Sequence, residues 1–156
     1  MTTPQQKMDQ LGISLPALAK SVGAYVPAVR VGNMVCTSGQ LPLSDGKLVS
    51  EGKVPTETSV EEAHSAARQA VLSALAAVCS QAGSLDNIAK IVRVNVFVNS
   101  APGFTDQARV ANGASELLLE VFGDSGKHTR CALGVAELPL NAPVELDLTV
   151  ELKPGV

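Results

Sequence analysis

The sequence predicts an α+β fold in which one mixed β-sheet carries two helices packed on one of its faces. Short alternating and β-branched segments indicate strands, and two alanine-rich segments with apolar residues at helical spacing indicate helices. Their order, β-β-α-β-α-β-β, favours parallel pairing of strands that a helix connects and antiparallel pairing within hairpins. We expect residues 1–156 to form one domain, with residues 1–22 as an N-terminal arm and residues 23–153 as the core.

A β-hairpin follows the arm, in which we expect only a short helix ending at Gly12. Apolar residues alternate over residues 25–31, stop at the dipeptide Gly32-Asn33, and resume over residues 34–39. A two-residue Gly-Asn connection between apolar runs is typical of a tight hairpin turn.

A loop and the first long helix come next. Residues 42–58 are rich in Pro, Gly, Ser and Asp, which predicts a loop with a short strand near residues 47–49. Ser59 and Glu62 then form a capping box, in which each side chain accepts a hydrogen bond from the other residue's backbone N–H. The helix that they begin should end at Gly83, because glycine tolerates the conformation that closes a helix.

The second half of the chain supplies the remaining elements. A β-branched run over residues 88–98 predicts a central strand. A second helix is expected from about Thr105 to Phe122, and two strands, 130–139 and 144–150, close the chain. Apolar residues point to both faces of the central strand, so we expect self-association to bury the face that the helices leave uncovered.

The composition excludes several classes of function. The net charge is −3 and only 3% of the residues are aromatic, with no basic stripe, which argues against a nucleic-acid partner. No apolar run is long enough to cross a membrane, so we expect no membrane partner. The polar N-terminus lacks the apolar stretch of a signal peptide, and we therefore expect a cytoplasmic protein.

The cysteines give no sign of a metal centre. Cys36, Cys79 and Cys131 are odd in number, widely spaced and set in apolar patterns, which suits reduced thiols in a cytosol. We expect Cys36 and Cys79 to lie in the core. With only two histidines, one of them His128, the sequence predicts no structural metal.

Arg130 is the strongest candidate for a functional residue. A lone arginine among small apolar residues at a strand start is costly to bury without a partner anion, and a carboxylate matches its planar fork best. We expect the antiparallel return strand to bring Glu145 toward the same end of the sheet. A fixed cation beside a carboxylate that can hold a water suggests a hydrolytic site. The alternatives are an intersubunit salt bridge for Arg130 and a merely structural or solvated role for Glu145.

Several segments resemble the YjgF/RidA family. Residues 32–42 resemble its signature hairpin, and residues 91–104 resemble its central strand and the start of its second helix. Arg130, followed nine residues later by Pro139 and then by residues 144–147, resembles its final two strands. The resemblance covers nearly all of the chain, and the order and spacing of the segments make it specific.

The resemblance implies a fold and an activity. It implies a chorismate-mutase-like α+β fold and a homotrimer with clefts between subunits. It further implies hydrolysis of reactive enamines or imines of the 2-aminoacrylate type to a 2-keto acid and ammonia, without a metal or organic cofactor. The expected partner is then a small metabolite that bears a carboxylate.

The resemblance also implies roles for particular residues. Arg130 would bind the substrate carboxylate and Glu145 would position the attacking water. Tyr25 would line the cleft wall, although one aromatic residue near a strand start is more often packing. The backbone of Ser38 and Gly39 would contact the ligand.

One departure from the family pattern concerns the residues after Arg130. The usual cysteine two residues after the arginine is Ala132 here, and a thiol stands instead at Cys131. Both remain candidate substrate-binding residues, although a one-residue shift in a strand points the thiol to the opposite face. Cys131 is otherwise a small buried hydrophobic residue.

Two other functions remain as alternatives. The departure at Ala132 keeps open a trimer that binds small carboxylates without converting them, as a metabolite sensor or carrier. The endoribonuclease activity often attributed to the family is the weakest alternative, because the chain is acidic and poor in aromatic residues.

Overall fold

A computed structural model describes residues 1–156. The helices are α1 (Pro4–Gln10), α2 (Val60–Ala82) and α3 (Gln107–Phe122). The strands are β1 (Ala28–Val31), β2 (Met34–Thr37), β3 (Leu43–Ser44), β4 (Lys47–Leu48), β5 (Ile88–Asn99), β6 (Thr129–Val135) and β7 (Val144–Leu152). The predicted order is confirmed, α1 is the short helix expected in the arm, and β4 is the short strand expected near residues 47–49. The structure adds β3, which pairs with β4. None of the helices has the length and apolarity that a bilayer crossing requires.

Five of the strands form one mixed sheet with the order β1-β2-β7-β5-β6. β5 and β6 are parallel, as expected for strands that a helix connects, and the other neighbours are antiparallel. The last strand, β7, enters the sheet between β2 and β5, which leaves β6 as an edge strand. The last strand in the sequence is therefore the middle strand of the five.

Local sequence signals set most element ends. At the start of α2, the Glu62 backbone N–H donates to the Ser59 hydroxyl (3.1 Å), and the Ser59 N–H donates to the Glu62 carboxylate (2.8 Å), as the capping box predicts. Gly83, with φ of 80°, ends the helix. The start of α3 differs from the prediction by two residues: the helix begins at Gln107, because Asp106 still has the non-helical ψ of 38°.

The helices cover one face of the sheet only. The side chains that alternate toward α2 and α3 are fully buried, among them Val94, Val96, Leu146 and Leu148. The opposite surface, here called the open face, carries Val29, Val31, Cys36, Phe97, Leu133, Glu145, Asp147 and Thr149. Several of these are exposed in the single chain, including Val31 at 75% and Leu133 at 50%.

Cys36 corrects the expectation of a core residue, because it lies exposed on the open face. It pairs with Thr149 of β7, whose register places it on the surface that no helix covers. Apolar residues do flank Cys36 in the sequence, but no helix packs against the face of the sheet on which Cys36 lies. Cys79, in α2, is partly buried against the core as expected.

The two long helices approach each other closely because small residues line their contact. α2 presents alanines that are completely buried, and α3 presents Gly113 opposite the start of α2. A Cβ on Gly113 would overlap the backbone carbonyl of His64. Only glycine therefore permits this separation between the helix axes.

We predict that Gly113→Ala destabilises the chain. Alanine in a helix interior ordinarily gains about 1 kcal/mol over glycine, but here its methyl group would overlap backbone rather than a mobile side chain. The overpacking should dominate, with a net loss of about 2 kcal/mol in the free energy of unfolding, measured by urea titration. Leu119→Ala, at an exposed position of the same helix, is the control and should change it by less than about 1 kcal/mol. A stabilised Gly113→Ala variant would show that the helices can move apart freely.

Candidate active site

Arg130 lies on the edge strand β6 and points to the side of the sheet that α3 covers. It is in register with Val94, a buried residue under the helices. Its Nη1 donates to Asn112 Oδ1 at 2.9 Å and to Ser115 Oγ at 3.1 Å, both on α3. The guanidinium is thus partly buried between an edge strand and a helix, where it remains open toward the rim of the sheet.

No carboxylate of the chain neutralises the charge of Arg130. The five ion pairs in the structure involve Lys53, His64, Arg68, Arg109 and Lys127. The hydrogen-bond partners of Arg130 are a neutral amide and a neutral hydroxyl, and both use Nη1. The Nε and Nη2 edge, which is the fork that grips a carboxylate with two parallel bonds, has no partner within the chain. A partly buried cation in this state is a suitable site for an external anion.

Glu145 lies on the open face near the start of β7. It is opposite Phe97 of β5, and its carboxylate packs over the backbone of Gly39, where a Cβ would overlap Oε1. The carboxylate has no hydrogen-bond or ion-pair partner in the chain. Partial burial raises the pKa of Glu145, and the negative charge of Asp147 two residues on raises it further. The group is therefore a better proton acceptor than an ordinary glutamate.

Backbone hydrogen bonds fix the chain beside Glu145. The Ser38 hydroxyl donates to the Val26 carbonyl at 2.6 Å, and its backbone N–H donates to the Pro27 carbonyl at 2.8 Å. These bonds hold the segment that leads to Gly39, whose missing side chain makes room for the carboxylate. Tyr25, at the start of the same segment, is 55% exposed and presents its ring to the surface.

The expectation that β7 returns beside β6 and brings Glu145 to Arg130 is wrong. β5 separates the two strands, and Arg130 is level with Leu148, three residues along β7 from Glu145. Two strand spacings and three residues place their backbones about 14 Å apart. Their side chains also point to opposite faces, since Val94 and Leu148 lie under the helices and Glu145 on the open face. The site residues of one chain therefore form two separate groups.

Register also decides the positions of Cys131 and Ala132. Ala132 is in register with the buried Val96, so it lies on the same side as Arg130. Cys131 is in register with Asn95 on the open face, and its Sγ accepts a hydrogen bond from Arg93 Nη2 at 3.1 Å. The predicted change of face for the thiol is confirmed, and Cys131 does not line the same surface as the guanidinium.

The residues that hold Arg130 in place were not among the site residues predicted from the sequence. Asn112 and Ser115 lie three positions apart on α3, so they share one face of the helix. His128, considered above only as one of two histidines, contacts Ser115 through Nε2 at 2.9 Å. The detectable signal was a pair of polar residues at helical spacing among buried neighbours. Across the chain, no group of three or more His, Cys, Asp or Glu side chains is arranged to hold a metal ion.

Comparison with known proteins gives a consistent result. The family model described as "YjgF/chorismate_mutase-like, putative endoribonuclease" matches residues 5–152. Protein TCP17 of Trypanosoma cruzi is 45% identical over 146 residues, covering 93% of this chain and 91% of that protein. A 2-iminobutanoate/2-iminopropanoate deaminase of Dermatophagoides farinae is 31% identical over 144 residues, covering 90% of this chain and 95% of that one.

A solved structure supports the same relationship. The crystal structure of Atu1372 from Agrobacterium tumefaciens superposes with a TM-score of 0.88 and 39% sequence identity. The superposition covers 96% of this chain and 92% of that one. The N-terminal arm is thus included in the shared architecture.

We predict a pH-dependent stability difference between the native chain and Glu145→Gln. Because folding raises the pKa of Glu145, the folded chain binds this proton more tightly than the unfolded chain does. The resulting contribution to stability is fully present below the ordinary glutamate pKa of about 4.3 and is lost as the pH rises through the folded pKa. Glutamine stays neutral, so the stability of Glu145→Gln relative to the native chain should increase as the pH rises from about 4 to about 7.

Urea unfolding at the two pH values measures this difference. Asp147→Asn serves as the comparison. Removing the negative charge of Asp147 should lower the pKa of Glu145, so the stability gained on replacing Glu145 by glutamine should be smaller in the Asp147→Asn background. A Gln variant that becomes relatively less stable as the pH rises would show that the ionised carboxylate is favoured in the folded chain.

Proposed function

This chain belongs to the YjgF/chorismate-mutase-like family, and we propose that it hydrolyses small enamines or imines that carry a carboxylate to 2-keto acids and ammonia. The observation that carries the proposal is the state of Arg130. Its charge is balanced by no carboxylate of the chain, and its bidentate edge is unoccupied. A relative that is 31% identical is named as a deaminase of 2-imino acids, and such substrates carry the required carboxylate.

The chemistry needs few groups. Arg130 binds the substrate carboxylate through Nε and Nη2, which fixes the position of the adjacent C=N carbon. Glu145 orients a water molecule toward that carbon and accepts its proton as the new C–O bond forms. That proton moves to nitrogen, which gives an amino alcohol. The hydroxyl proton then passes through Glu145 to the nitrogen, the C–N bond breaks with its electron pair on nitrogen, and the keto acid and ammonia leave. An enamine enters this sequence after taking a proton from solvent at its terminal carbon, which converts it to the imine. No electrons are exchanged, so the reaction itself requires no redox group.

A site that uses both residues needs a second copy of the chain. Arg130 and Glu145 of one chain lie on opposite faces of the sheet, with β5 between their strands. The open face also exposes Val29, Val31 and Leu133, which a single chain leaves in water. We propose that copies associate through this face as a homotrimer, with Arg130 of one copy near Glu145, Gly39 and Tyr25 of the next.

A carrier of small carboxylates is the second candidate. It is favoured by the residues after Arg130, where Ala132 occupies the position of the family's usual cysteine and Cys131 faces away. The two functions differ in one measurement, the release of ammonia and pyruvate from 2-aminoacrylate generated in situ from serine. Acceleration by the protein supports the hydrolase. Tight binding of a 2-keto acid without acceleration would favour the carrier.

We predict that Asn112→Asp strongly weakens the binding of 2-keto acids without unfolding the chain. The change places a carboxylate where a neutral oxygen now lies 2.9 Å from Nη1, so Arg130 gains an internal counter-ion. Affinity for 2-oxobutyrate, measured by calorimetry, should fall about 100-fold, because the new carboxylate neutralises the guanidinium and repels the carboxylate of the ligand. Asn33→Asp, which adds the same charge in the β1–β2 turn at the far edge of the sheet, is the matched control.

Arg130→Ala provides the reference for this experiment, with turnover of 2-aminoacrylate abolished and the oligomer intact. Turnover retained in Arg130→Ala would remove the residue from the mechanism. Affinity unchanged in Asn112→Asp would show that the charge of Arg130 is not what binds the ligand.

We predict that Gly39→Ala lowers turnover with little loss of stability. The new methyl group would overlap Glu145 Oε1, which is the mobile end of a side chain, so the carboxylate moves rather than the backbone. A displaced Glu145 can no longer orient the water, and kcat should fall about tenfold or more while affinity for 2-oxobutyrate changes little. Glu145→Gln should show a similar kcat defect. A Gly39→Ala variant with normal kcat would separate Glu145 from the reaction.

A further inference from the structure

We propose that Ser115 and His128 are positioning residues, which hold the guanidinium of Arg130 so that its carboxylate-binding edge stays open. The inference rests on the role of Arg130 in the proposed function. Both residues lie outside the strands that carry Arg130 and Glu145, and they act on the ligand only through Arg130. They form a chain of hydrogen bonds that runs from the turn after α3 to Nη1.

Donor and acceptor chemistry fixes the direction of this chain. The Gly126 carbonyl lies 2.6 Å from His128 Nδ1 and can only accept, so Nδ1 carries a proton. In the neutral ring Nε2 is then an acceptor, and the Ser115 hydroxyl, 2.9 Å away, donates to it. The hydroxyl oxygen is left with lone pairs for the Arg130 Nη1, which lies at 3.1 Å and can only donate. Each group has one consistent role.

The chain ends at a rigid anchor. Gly126 packs so closely on the end of α3 that a Cβ there would overlap the Leu118 carbonyl. The carbonyl that orients His128 is therefore held by the same helix that carries Ser115. We call this linked group the bracket: α3 with Ser115, the turn at Gly126 and the ring of His128. Each part is in contact with the next, so the parts are held in fixed relative positions.

The bracket matters because of where it contacts Arg130. Ser115 and Asn112 both engage Nη1, and two acceptors on one nitrogen define the plane of the guanidinium. The opposite edge, Nε and Nη2, is left free in a fixed orientation. A side chain that is ordered before the ligand arrives loses less conformational entropy on binding, so the bracket should raise affinity.

His128 is needed to keep the serine in this role. A serine in a helix commonly turns its hydroxyl toward the carbonyl four residues earlier, here that of Ala111. The acceptor at Nε2 draws the proton away from the helix backbone and leaves the oxygen facing Arg130. Without it, Ser115 would have two competing orientations.

The test compares variants that keep or remove each link. Ser115→Ala removes the acceptor for Nη1. His128→Asn keeps a donor for the Gly126 carbonyl but places no acceptor at the Nε2 position, whereas His128→Gln supplies one there. Affinity for 2-oxobutyrate and the kcat and KM for 2-aminoacrylate are measured for each variant, with thermal unfolding as the check on folding.

We expect Ser115→Ala and His128→Asn each to weaken 2-oxobutyrate binding about tenfold and to raise KM by a similar factor, with kcat within threefold of the native value. The double variant should bind no more weakly than Ser115→Ala, because both changes break one chain. His128→Gln should restore affinity to within threefold of the native protein.

Two results separate failure of this inference from failure of the proposed function. If Arg130→Ala abolishes binding while Ser115→Ala and His128→Asn bind as tightly as the native protein, only the positioning role is overturned. If Arg130→Ala binds 2-oxobutyrate normally, the proposed function falls and this inference with it. A His128→Gln variant as weak as His128→Asn would overturn the acceptor role of Nε2.

Discussion

The parallel pairing of β5 with β6 is the constraint on which the candidate site depends. The α3 crossover returns the chain to the same side of the sheet and lays β6 against β5, so that Arg130 comes level with Val94 beneath the helix. β7 then has to pair on the other side of β5, because that edge is the one still free. From these two steps follow the edge position of Arg130, its contact with α3, and its separation from Glu145.

Placing a cation under a helix carries a desolvation cost that the chain reduces without cancelling the charge. An amide and a hydroxyl accept from Nη1, and neither brings a negative charge. A carboxylate at either position would have neutralised the arginine and weakened its attraction for an incoming acid. The ion pairs of the chain lie elsewhere, between helices and at loops, where they bridge neighbouring elements. In the proposed function, the ability of Arg130 to bind an acid depends on this absence of an internal ion pair.

The two candidate site residues lie on different faces of the sheet. The face under α2 and α3 is closed by alanine and glycine contacts and carries the arginine at its rim. The open face carries Glu145, whose partial burial against Gly39 raises its pKa, together with exposed valine and leucine side chains. A cation on one rim and a proton acceptor on the other face suit a site completed by a neighbouring copy. The same apolar surface gives such copies a reason to associate.

The sequence by itself determined the elements and most of their ends, because capping boxes, turn glycines and apolar periods act within a few residues. It also singled out Arg130 and Glu145 as candidate site residues, since a charged residue in an apolar strand interrupts the two-residue pattern. Only the tertiary structure decided that β5 lies between their strands, that Cys36 is exposed, and that Asn112 and Ser115 contact the guanidinium while His128 contacts Ser115. Strand order and contacts between a helix and a sheet join residues far apart in the chain, and local periodicity carries no information about which distant segment becomes the neighbour.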